Sequence, residues 1–585
     1  MDACLEPLQF YAQHLKGRHD QQVESFLDEA VKASGIDIAA NRAQCAKIRE
    51  LQTATASCKA RVARLRRWGL FCSIVGWISV IVGPLAYCDV LEDLLGDLSA
   101  IRPFALPLAG IGLLLLTLYF AVLRKRHRAA KTMLEELCAL LKQALQVAWA
   151  QLEPLNRRFD WQTMPRLLRA ACPLLDLRPF LDTELFRRFT EAPGWNEEFC
   201  EERSIDSVLC GEFKGHPFLV ANTKGFHWEM KTYKGELTIH WTTRERDSNG
   251  KSYTAHHSQT LVATVEKPIP VFDRRALALY RSDAAPHLSF SRDPSDLSGR
   301  EDSFLTRFKK RRAVKKLEAF SRNLDDEYGF TMMENTEFET LFHATDRSDE
   351  VEFRLLFTPF AQEQMTRLLN DKEIGCGDDF SFIKRQTLSV LLPGHLDEFD
   401  LAPDPQRLVH YDYDALRANF LALNRQWAHA LFFALAPFLA IPLYQQNDAP
   451  ATPPPQNTPE RRLAAWECEA VANRRDDAAF RPEQCVTEFL LDATVGEQNG
   501  ITVATLHAEG FRTVRHTEYV SRYGRDGGWH NVPVEWLEYL PVSRERRMAF
   551  VEDACGEKAE QRLAALGEPF SAPDSSRGYL TALLD

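Results

Sequence analysis

The sequence, 585 residues long, predicts an α+β membrane protein. Its parts, in order, are a helical N-terminal part with a transmembrane hairpin, a cytoplasmic α+β domain rich in antiparallel sheet, a third transmembrane helix, and a small mixed α/β C-terminal domain. Three observations lead to this fold class. Three apolar segments are candidates to cross a bilayer, basic residues gather beside the first two, and much of the remaining chain alternates apolar and polar residues as strands do.

The composition is that of a folded chain, with 45% apolar and 26% charged residues. The formal net charge of −11 argues against a general nucleic-acid-binding protein, because affinity for phosphate needs a concentrated basic face. We therefore expect no nucleic-acid partner. The basic residues cluster instead beside the apolar segments, which is a membrane pattern.

The N-terminal part carries the two strongest apolar segments. Residues 1–66 have apolar positions at helical spacing and are predicted to form a cytoplasmic helical segment. Residues 68–88, "WGLFCSIVGWISVIVGPLAYC", contain no charge, and residues 104–123, "FALPLAGIGLLLLTLYFAVL", are more apolar still. A helix of about 20 apolar residues crosses the roughly 30 Å hydrocarbon core of a bilayer. Both segments are therefore predicted as transmembrane helices.

Charge orients this hairpin. Basic residues precede the first segment in "CKARVARLRRW" and follow the second in "RKRHRAAK", whereas "DVLEDLLGDLSAIR" between the segments is mostly acidic. Short cytoplasmic loops carry the excess of Lys and Arg in membrane proteins. The sequence therefore predicts that both ends of the hairpin lie in the cytoplasm and that a short acidic turn lies outside.

A second cytoplasmic helical segment is predicted at residues 124–182. Within it, the apolar residues of 128–155 fall on one helical stripe. This helix and the N-terminal helix flank the hairpin, so they either pack on each other as an antiparallel stalk or pack separately on the soluble domain. The sequence leaves both arrangements open.

Residues 183–402 change to short alternating runs broken by Gly, Asn-Gly and Pro, which predicts a cytoplasmic α+β domain in which antiparallel sheet predominates. "DSNGKS" separates two such runs and indicates a hairpin, because Asn-Gly tolerates the positive φ of a type I′ turn. A helix is expected from about Asp302 to Asn323, with Asp302 or Ser303 as its N-cap. A helix at Ala361–Leu369 and a strand in "QTLSVLLPG" are expected to follow.

The stretch "TEFETLFHATDRSDEVEFRLLFTPF", residues 336–360, alternates acidic and apolar residues. Alternation predicts a short element and a strand whose apolar side chains face the core, namely Phe338, Phe342, Val351, Phe353 and Leu355. The opposite face of that strand is then solvated, and carries Glu350, Glu352 and Arg354. Pro359 is expected at the first position of the helix that follows.

The third apolar segment, residues 427–444, is shorter and contains His429 and two prolines. Aromatic residues at both its ends suit the membrane interfaces, so a third transmembrane helix is predicted, with a buried helix or a membrane-surface helix as alternatives. The Pro-rich residues 445–462 are expected to form an extended linker. Residues 463–585 then form a small extracytoplasmic domain, with a helix near 461–472 and a strand in "GITVATL".

The 13 cysteines are dispersed, without Cys-x-x-Cys or a Cys/His spacing typical of zinc. We therefore expect no metal site and no cofactor, and we assign no catalytic residues. An external compartment would permit one disulfide, and Cys468 with Cys485 is the closest pair in sequence. His240, His256 and His257 are interpreted as solvated strand residues, because neighbouring strand residues point to opposite faces.

The strongest basic cluster of the chain is "RFKKRRAVKKLEAF", residues 307–320. On a helix its cations would surround a partial apolar face, and each could contribute on the order of 1 kcal/mol next to an anionic leaflet. The sequence therefore supports a lipid-facing basic cluster and, equally, a solvated face of a helix packed on the sheet. The cations are Lys309, Lys310, Arg311, Arg312, Lys315 and Lys316.

"NTEFETLFHATDRSDEVEFRLLFTPFAQEQMTRLL", followed by "FSFIKRQTLSVLLPGHLDEFD", resembles the end of a bacterial membrane protein family known as domain of unknown function 3137. The matching residues are Glu337, Phe338, Glu339, Phe342, Glu352, Arg354, Leu355, Thr358 and Pro359. The resemblance covers roughly residues 1–400 and leaves out the third segment and the C-terminal domain. It implies a multi-pass protein of the bacterial inner membrane, with a cytoplasmic N-terminus and main domain, but no catalytic residues.

Two functions from different classes remain. The favoured one is a non-enzymatic scaffold or sensor of the membrane, whose cytoplasmic sheet domain binds an unknown protein partner and which contacts the lipid bilayer, with a homo-oligomer as a further arrangement. The alternative is a membrane-anchored hydrolase that uses carboxylates such as Asp325, Asp326, Glu337 or Glu339. Catalytic carboxylates need a cleft and partial burial, so a polar pocket with converging carboxylates would favour the enzyme.

Overall fold

The structure is a computed structural model that describes residues 4–87, 102–196, 202–246, 251–300, 304–322, 330–446, 462–552 and 557–584. The chain divides into two compact units. The helical unit comprises residues 26–159 and 406–421, and the sheet unit comprises residues 1–25, 160–405 and 422–585. The architecture is α+β, with two antiparallel sheets and two long apolar helices that could span a membrane.

The helical unit is built on a pair of long helices. The first is Ile38–Tyr87, and the second runs through Arg102–Leu118, a π-helical turn at Tyr119–Leu123, and Arg124–Asn156. Both are long and apolar enough to cross a membrane, and most of the apolar stretch of each helix is exposed. The two predicted hairpin segments lie in these helices. The predicted acidic turn falls largely in residues 88–101, outside the described residues.

Small residues bring the two apolar helices close together. A Cβ atom at Gly76 would lie 2.9 Å from Leu116 Cγ, and one at Gly112 would lie 2.9 Å from the Gly76 carbonyl oxygen. Glycine at such a crossing lets helix backbones approach, as it does in helix pairs in membranes.

The same helices continue as an antiparallel stalk. Gln44 donates to the carbonyl oxygen of Ala144 at 2.8 Å, the Cys58 thiol lies 3.5 Å from the carbonyl oxygen of Ala130, and Ile48 is buried against the second helix. The stalk arrangement is therefore confirmed in the helical unit.

The first sheet of the sheet unit has seven antiparallel strands in the order β1-β2-β3-β4-β7-β6-β5. The strands are β1 Leu175–Arg178, β2 Arg203–Phe213, β3 His216–Arg246, β4 Ser252–Arg281, β5 Ser289–Arg292, β6 Phe380–Arg385 and β7 Leu388–Pro393. β3 and β4 pair continuously from Phe218 opposite Tyr280 to Arg246 opposite Ser252. The hairpin predicted at "DSNGKS" is therefore confirmed, although residues 247–250 lie outside the described residues.

The second sheet has five antiparallel strands in the order β11-β12-β10-β9-β8. Its strands are β8 Phe489–Gln498, β9 Ile501–Tyr523, β10 Trp529–Glu552, β11 Asp574–Ser576 and β12 Tyr579–Leu584. β9 and β10 form a second long hairpin, with Trp529 opposite Tyr523. The strand predicted in "GITVATL" is the start of β9.

The remaining helices are shorter than the two long ones. Those of the N-terminal residues are Pro7–Phe10, a π-helical turn Tyr11–Leu15, and Lys16–Ser34. Those that follow the stalk are Thr163–Ala171, Thr183–Thr190, Phe304–Ser321, Thr336–Phe342, Glu350–Leu356, Pro359–Asn370, Tyr413–Leu439, Leu443–Gln446, Ala465–Ala472 and Glu557–Ala564. The 3-10 turns are Gly394–Leu396, Pro405–Arg407 and Asp477–Ala479. The predicted helix at 302–323 is confirmed, but its predicted N-cap residues, Asp302 and Ser303, lie outside the described residues.

The stretch 336–360 forms helices, so the strand predicted there is wrong. Val351 and Leu355 are 69% and 60% exposed, although alternation had placed both in the core. Phe353 alone of that strand set is buried, and Glu352 accepts a hydrogen bond from the His287 backbone N–H at 2.9 Å. The helix Glu350–Leu356 is N-capped by Asp349. Capping and the helical period of 3.6 residues therefore favour a helix over the predicted strand. Pro359 does open the next helix, as predicted.

The third transmembrane helix is also wrong, because residues 427–444 lie inside the sheet unit. The Trp427 indole N–H donates to the Leu401 carbonyl at 2.7 Å, and His429 bonds the Ile374 carbonyl at 2.7 Å. At the other end Tyr444 is fully buried, with its hydroxyl 2.6 Å from Ser389 Oγ. Nearly every apolar side chain of the segment is buried by protein, so little surface remains for lipid.

The separate extracytoplasmic domain at 463–585 is wrong for the same reason. Asp182 pairs with Leu463 in a β-bridge, and the backbone N–H of Thr183 donates to the Arg462 carbonyl at 2.9 Å. Trp466 belongs to a core cluster with strands β2, β3, β4 and β7 of the first sheet. Both sheets belong to one compact unit, so a bilayer cannot separate them.

The two long hairpins pack directly on each other within the sheet unit. A Cβ atom at Gly235 would lie 2.0 Å from the Pro533 carbonyl oxygen, so only glycine fits there. Lys267 pairs with Glu518 at 2.7 Å, and its ammonium lies 4.4 Å from the centre of the Trp536 ring. We call the junction between the two sheets the seam.

Candidate functional site

The predicted basic cluster lies on the helix Phe304–Ser321, and all six cations are exposed or half-buried. This helix and the helix Thr336–Phe342 border an open groove of about 850 Å³. Phe308, 61% exposed, lines the groove, and Lys310 pairs with Glu337 across it at 3.5 Å. Lys309 and Lys316 do not line it. An apolar side chain among cations suits a lipid headgroup region, and lipid docking stays a prediction.

The carboxylates named for the hydrolase are not brought together. Asp325 and Asp326 lie outside the described residues. Glu337 is half-exposed and faces the basic groove, whereas Glu339 is buried and pairs with the buried Arg347 at 3.0 Å. Arg347 also donates to Glu350 at 2.6 Å. Glu339 therefore has a structural partner on its own side of the fold, away from the groove.

The predicted disulfide between Cys468 and Cys485 is not formed, and both thiols are free. Cys468 is buried in the helix Ala465–Ala472, where it faces the core of the second sheet. The Cys485 thiol instead lies 3.5 Å from the Thr487 carbonyl oxygen. Proximity in sequence did not bring the two sulfur atoms together.

The three histidines considered in the sequence lie on the first hairpin. His257 contacts Thr243 at 2.6 Å and stacks on Trp241, with ring centres 5.4 Å apart. In the ranges that the structure describes, no three His, Cys, Asp or Glu side chains are grouped to hold a metal ion.

Polar side chains line a cavity of about 570 Å³ at the seam, which we call the seam cavity. The first sheet contributes β2, β3 and β4, and the chain after β7 adds two aspartates. The C-terminal part adds the end of the helix Ala465–Ala472, the start of β8, and β11. The cavity is lined by Trp161, Asp206, Lys224, Arg274, Asp400, Asp404, Asn473, Arg474, Asp477, Glu488, Phe489, Asp574, Ser575 and Ser576.

Ion pairs join the two sides of the seam cavity. Arg274 of β4 lies 3.5 Å from Asp206 and 3.3 Å from Glu488, which precedes β8. Arg474 pairs with Asp400 at 2.9 Å, and its guanidinium lies 5.3 Å from the centre of the Trp161 ring. The pair of Arg274 with Glu488 therefore depends on the two sheets being packed together.

Burial changes the acidity of one carboxylate in the cavity. Asp206 is mostly removed from solvent, and this burial raises the pKa of its carboxyl above the ordinary value, although Lys224 and Arg274 act to lower it. Glu488 adds to the rise by like-charge repulsion. A buried carboxyl with a raised pKa in a cavity is a candidate acid or base.

Polar atoms next to the cavity lack a partner in the part of the chain that the structure describes. Ser576 lines the cavity, and its Oγ atom is buried without a hydrogen bond. The Nε atom of Arg474 is buried without one as well. Buried polar groups are normally paired with protein or with ordered water. The site therefore has capacity for further hydrogen bonds.

A buried glutamate beside the cavity connects the two sheets. The Glu469 carboxylate accepts from the backbone N–H of Ile205 in β2 at 2.9 Å and from that of Ala493 in β8 at 3.3 Å. Burial raises the pKa of Glu469 to about 8. The helix Ala465–Ala472 thus holds the walls of the cavity together through one side chain.

Sequence reasoning missed the seam cavity because it placed the two contributing regions on opposite sides of a membrane. Asp206, Lys224 and Arg274 were in the predicted cytoplasmic domain, whereas Arg474, Glu488 and Asp574 were in the predicted external domain. The signal available was the dense mixture of Arg, Asp and Glu after the Pro-rich linker, in "WECEAVANRRDDAAFRPEQ". Such charges in a small domain need partners, and the first sheet supplies them.

Comparison with known proteins gave no matching family model, no matching curated protein and no matching solved structure. The resemblance to the family of domain of unknown function 3137 therefore stays a prediction.

Proposed function

We propose that this protein is a membrane-anchored, non-enzymatic sensor whose sheet unit binds a small hydrophilic ligand in the seam cavity. The observation that carries the proposal is the cavity itself, about 570 Å³ with charged and polar walls drawn from both sheets. Ligand sites are usually clefts of about 300–1,000 Å³. A ligand held there would bridge the two sheets and stabilise their packing, which is a direct way to sense it.

The wall chemistry favours a ligand that carries both signs of charge, such as a free amino acid or a dipeptide. Most ligand pockets are lined mainly by apolar side chains, but polar groups dominate this one. Arg474 and the Ser576 hydroxyl can receive a carboxylate, and Asp206 and Glu488 can receive an ammonium group. Lys224 lies 4.0 Å from Asp206, which is long for an ion pair and leaves room for a competing charge.

A hydrolase is the second candidate, and Asp206 is the observation in its favour. Carboxylates do converge in the seam cavity, and the pKa of Asp206 is raised by burial. The residues differ from those named in the sequence, because Glu337 and Glu339 lie elsewhere. The binding function is preferred because Asp206, Asp400, Glu488 and Asp574 each have an Arg or Lys partner within 4.0 Å.

Location and partners belong to the same proposal. The two apolar helices, with their basic flanks, anchor the chain in a bilayer, and we assign the sheet unit to the cytoplasmic side of a bacterial inner membrane. Its basic groove, with Phe308 at the edge, is the surface we assign to lipid headgroups. A protein partner that reads the ligand-bound state, and a homo-oligomer joined through the apolar helices, are further parts of this proposal.

The test uses the full chain in lipid nanodiscs, with Trp161 as the reporter. Glycine, lysine, glutamate and glycylglycine are titrated while tryptophan fluorescence is followed, and one of them is expected to give a saturable change that is absent in Trp161→Phe. Arg474→Met should weaken this binding at least about tenfold, because a lost charged hydrogen bond costs roughly 1.5–3 kcal/mol. Arg515→Met, at an exposed ion pair on the second hairpin, is the matched control and should bind normally.

The second candidate is tested with the same material. Turnover of p-nitrophenyl acetate or p-nitrophenyl phosphate that disappears in Asp206→Asn would establish a hydrolase in place of the sensor. No saturable change with any of the four probes, together with no turnover, would contradict both functions.

A further inference from the structure

The basic groove between the helices Phe304–Ser321 and Thr336–Phe342 carries more cations than carboxylates. Four cations and two carboxylates line it, so the walls have a net charge of +2. An anion is therefore the ligand that these walls complement. The cations are Lys310, Arg311, Arg312 and Lys315, and the carboxylates are Glu318 and Glu337.

Three of the four cations have no partner within the ranges that the structure describes. Lys310 pairs with Glu337 across the groove at 3.5 Å. The side chains of Arg311, Arg312 and Lys315 make neither an ion pair nor a hydrogen bond in those ranges. A guanidinium group can donate two parallel hydrogen bonds to a phosphate. These three side chains, which we call the unpaired cations, are available to an anion.

Helical spacing places an apolar side chain beside the unpaired cations. They follow Phe308 by three, four and seven residues, so all four side chains lie along one face of the helix. Phe308 is 61% exposed. Unpaired cations alone are common on a solvated surface, but an exposed phenylalanine in the same row indicates a ligand that is both anionic and apolar.

The size and the walls of the groove suit such a ligand. Its volume of about 850 Å³ lies within the roughly 300–1,000 Å³ of most ligand sites. Val314 of one helix and the buried Leu341 of the other add to the apolar wall. Most ligand sites combine apolar walls with a few polar groups that orient the ligand, whereas polar groups dominate the seam cavity. The two sites therefore suit different ligands.

We propose that the groove binds a phosphate monoester with a single long apolar chain, namely a single-chain phospholipid of the bilayer. The phosphate contacts the unpaired cations, and the chain lies along Phe308, Val314 and Leu341. A phosphate monoester carries a charge of about −1.5 to −2 at pH 7, which matches the charge of the walls. The ligand class rests on the lipid contact proposed above for this groove, which needs a headgroup alone, and adds a chain that protein holds.

The test uses the full chain in phosphatidylcholine nanodiscs and a decyl phosphate probe with a diazirine at the end of its chain. Labelled peptides are mapped by mass spectrometry, and the label on the two apolar helices measures how much probe has entered the bilayer. Relative to that label, the peptides with Val314 and Leu341 are expected to carry at least about tenfold more of this probe than of the same chain with a trimethylammonium headgroup. Label on the apolar helices alone would overturn the site but leave the proposed headgroup contact standing.

Two double variants with the same change of charge separate the groove from the rest of its helix. Arg311→Gln with Arg312→Gln removes two cations that line the groove, whereas Lys309→Gln with Lys316→Gln removes two that do not. The first should lower the groove label at least about tenfold, because each cation lost beside an anionic headgroup weakens binding about fivefold. The second should leave the label unchanged. An equal loss in both would overturn the site.

A competition measurement needs no variant. Decyl phosphate should displace the probe at least about a hundredfold more effectively than inorganic phosphate, because each buried methylene strengthens binding about fourfold. It should also compete about fivefold better than decyl sulfate, which has the same chain but one negative charge. Equal competition by inorganic phosphate would overturn the role of the chain, and equal competition by decyl sulfate would overturn the phosphate monoester. Hexaglutamate that competes as well as decyl phosphate would assign the groove to an acidic protein partner instead.

Discussion

Replacing Arg577 by Ala is expected to lower the free energy of opening the seam by about 3–5 kcal/mol, because the replacement leaves a buried carboxylate without its cation. Glu467 and Arg577 are both buried and lie 3.2 Å apart. Glu467 also accepts the backbone N–H of Leu181 at 3.0 Å, and Arg577 donates to the Val208 carbonyl at 2.7 Å. The pair therefore joins the C-terminal part of the chain to the first sheet.

Hydrogen exchange of the full chain measures this effect locally. Backbone amides of β2 and of the helix Ala465–Ala472 should exchange roughly 10²- to 10⁴-fold faster in Arg577→Ala, since each 1.36 kcal/mol is tenfold. Adding Glu467→Gln should restore part of the protection, because the amide is neutral and can still accept from Leu181. Arg515→Ala, at an exposed pair, should change little. Unchanged exchange in Arg577→Ala would contradict a tightly packed seam.

Replacing Arg347 by Ala is expected to destabilise the helices Thr336–Phe342 and Glu350–Leu356 by a similar amount, about 3–5 kcal/mol. Arg347 is fully buried and pairs with the buried Glu339 at 3.0 Å. Its guanidinium lies between the rings of Phe330 and Phe353, 4.3 Å and 4.2 Å from their centres. The loss combines an unpaired buried charge with lost cation–π contacts.

Arg354 provides a matched control for this prediction. Arg347 also donates to the Thr331 carbonyl at 2.7 Å. Arg354 contacts the same carbonyl at 3.2 Å and lies 3.6 Å from Glu350, but its side chain is half-exposed. Arg354→Ala should therefore cost less than about 1 kcal/mol. Exchange of the two helices again gives the measurement. Equal effects of Arg347→Ala and Arg354→Ala would mean that burial does not determine how much each arginine contributes to stability.

Long periodic patterns in the sequence were sufficient to predict much of the fold. The stalk helices, the two apolar helices and the first long hairpin follow from helical spacing, from apolar runs of about 20 residues and from one Asn-Gly turn. These signals are local, so no knowledge of the rest of the chain is needed. The helix at Phe304–Ser321 was predicted for the same reason.

The prediction for the third apolar segment was wrong because an apolar composition does not show whether lipid or protein surrounds the helix. Residues around Phe432 and Phe438 are apolar on every side, as a membrane helix would be, but protein covers them here. A core helix of a large unit and a lipid-exposed helix have the same composition. The difference lies in distant partners such as Leu401 and Ile374, which no local pattern contains.

The prediction for the stretch 336–360 was wrong because so few residues fit both the helical period and the strand period. Phe338 and Phe342 are four apart and suit a helix, whereas Val351, Phe353 and Leu355 suit a strand. The helix prevailed in both parts, since Asn335 and Asp349 cap the helices with their side chains. These caps were present in the sequence and were the overlooked signal.

The candidate sites required the tertiary structure. Asp206 and Glu488 are far apart in sequence, and both contact Arg274 only because the two sheets pack together. The basic cluster was visible in advance because its members are consecutive. Charge runs can be read from sequence, but convergent side chains cannot.

Labelling from one side of the membrane tests most directly whether both sheets lie together on one side, as we propose. Ser252→Cys reports on the first hairpin and Ser521→Cys on the second, both exposed positions, in a Cys138→Ser background. A membrane-impermeant maleimide is added to right-side-out and to inverted vesicles. Both cysteines are predicted to react in the same vesicle orientation. Reaction of the two in opposite orientations would restore the third span and contradict the seam.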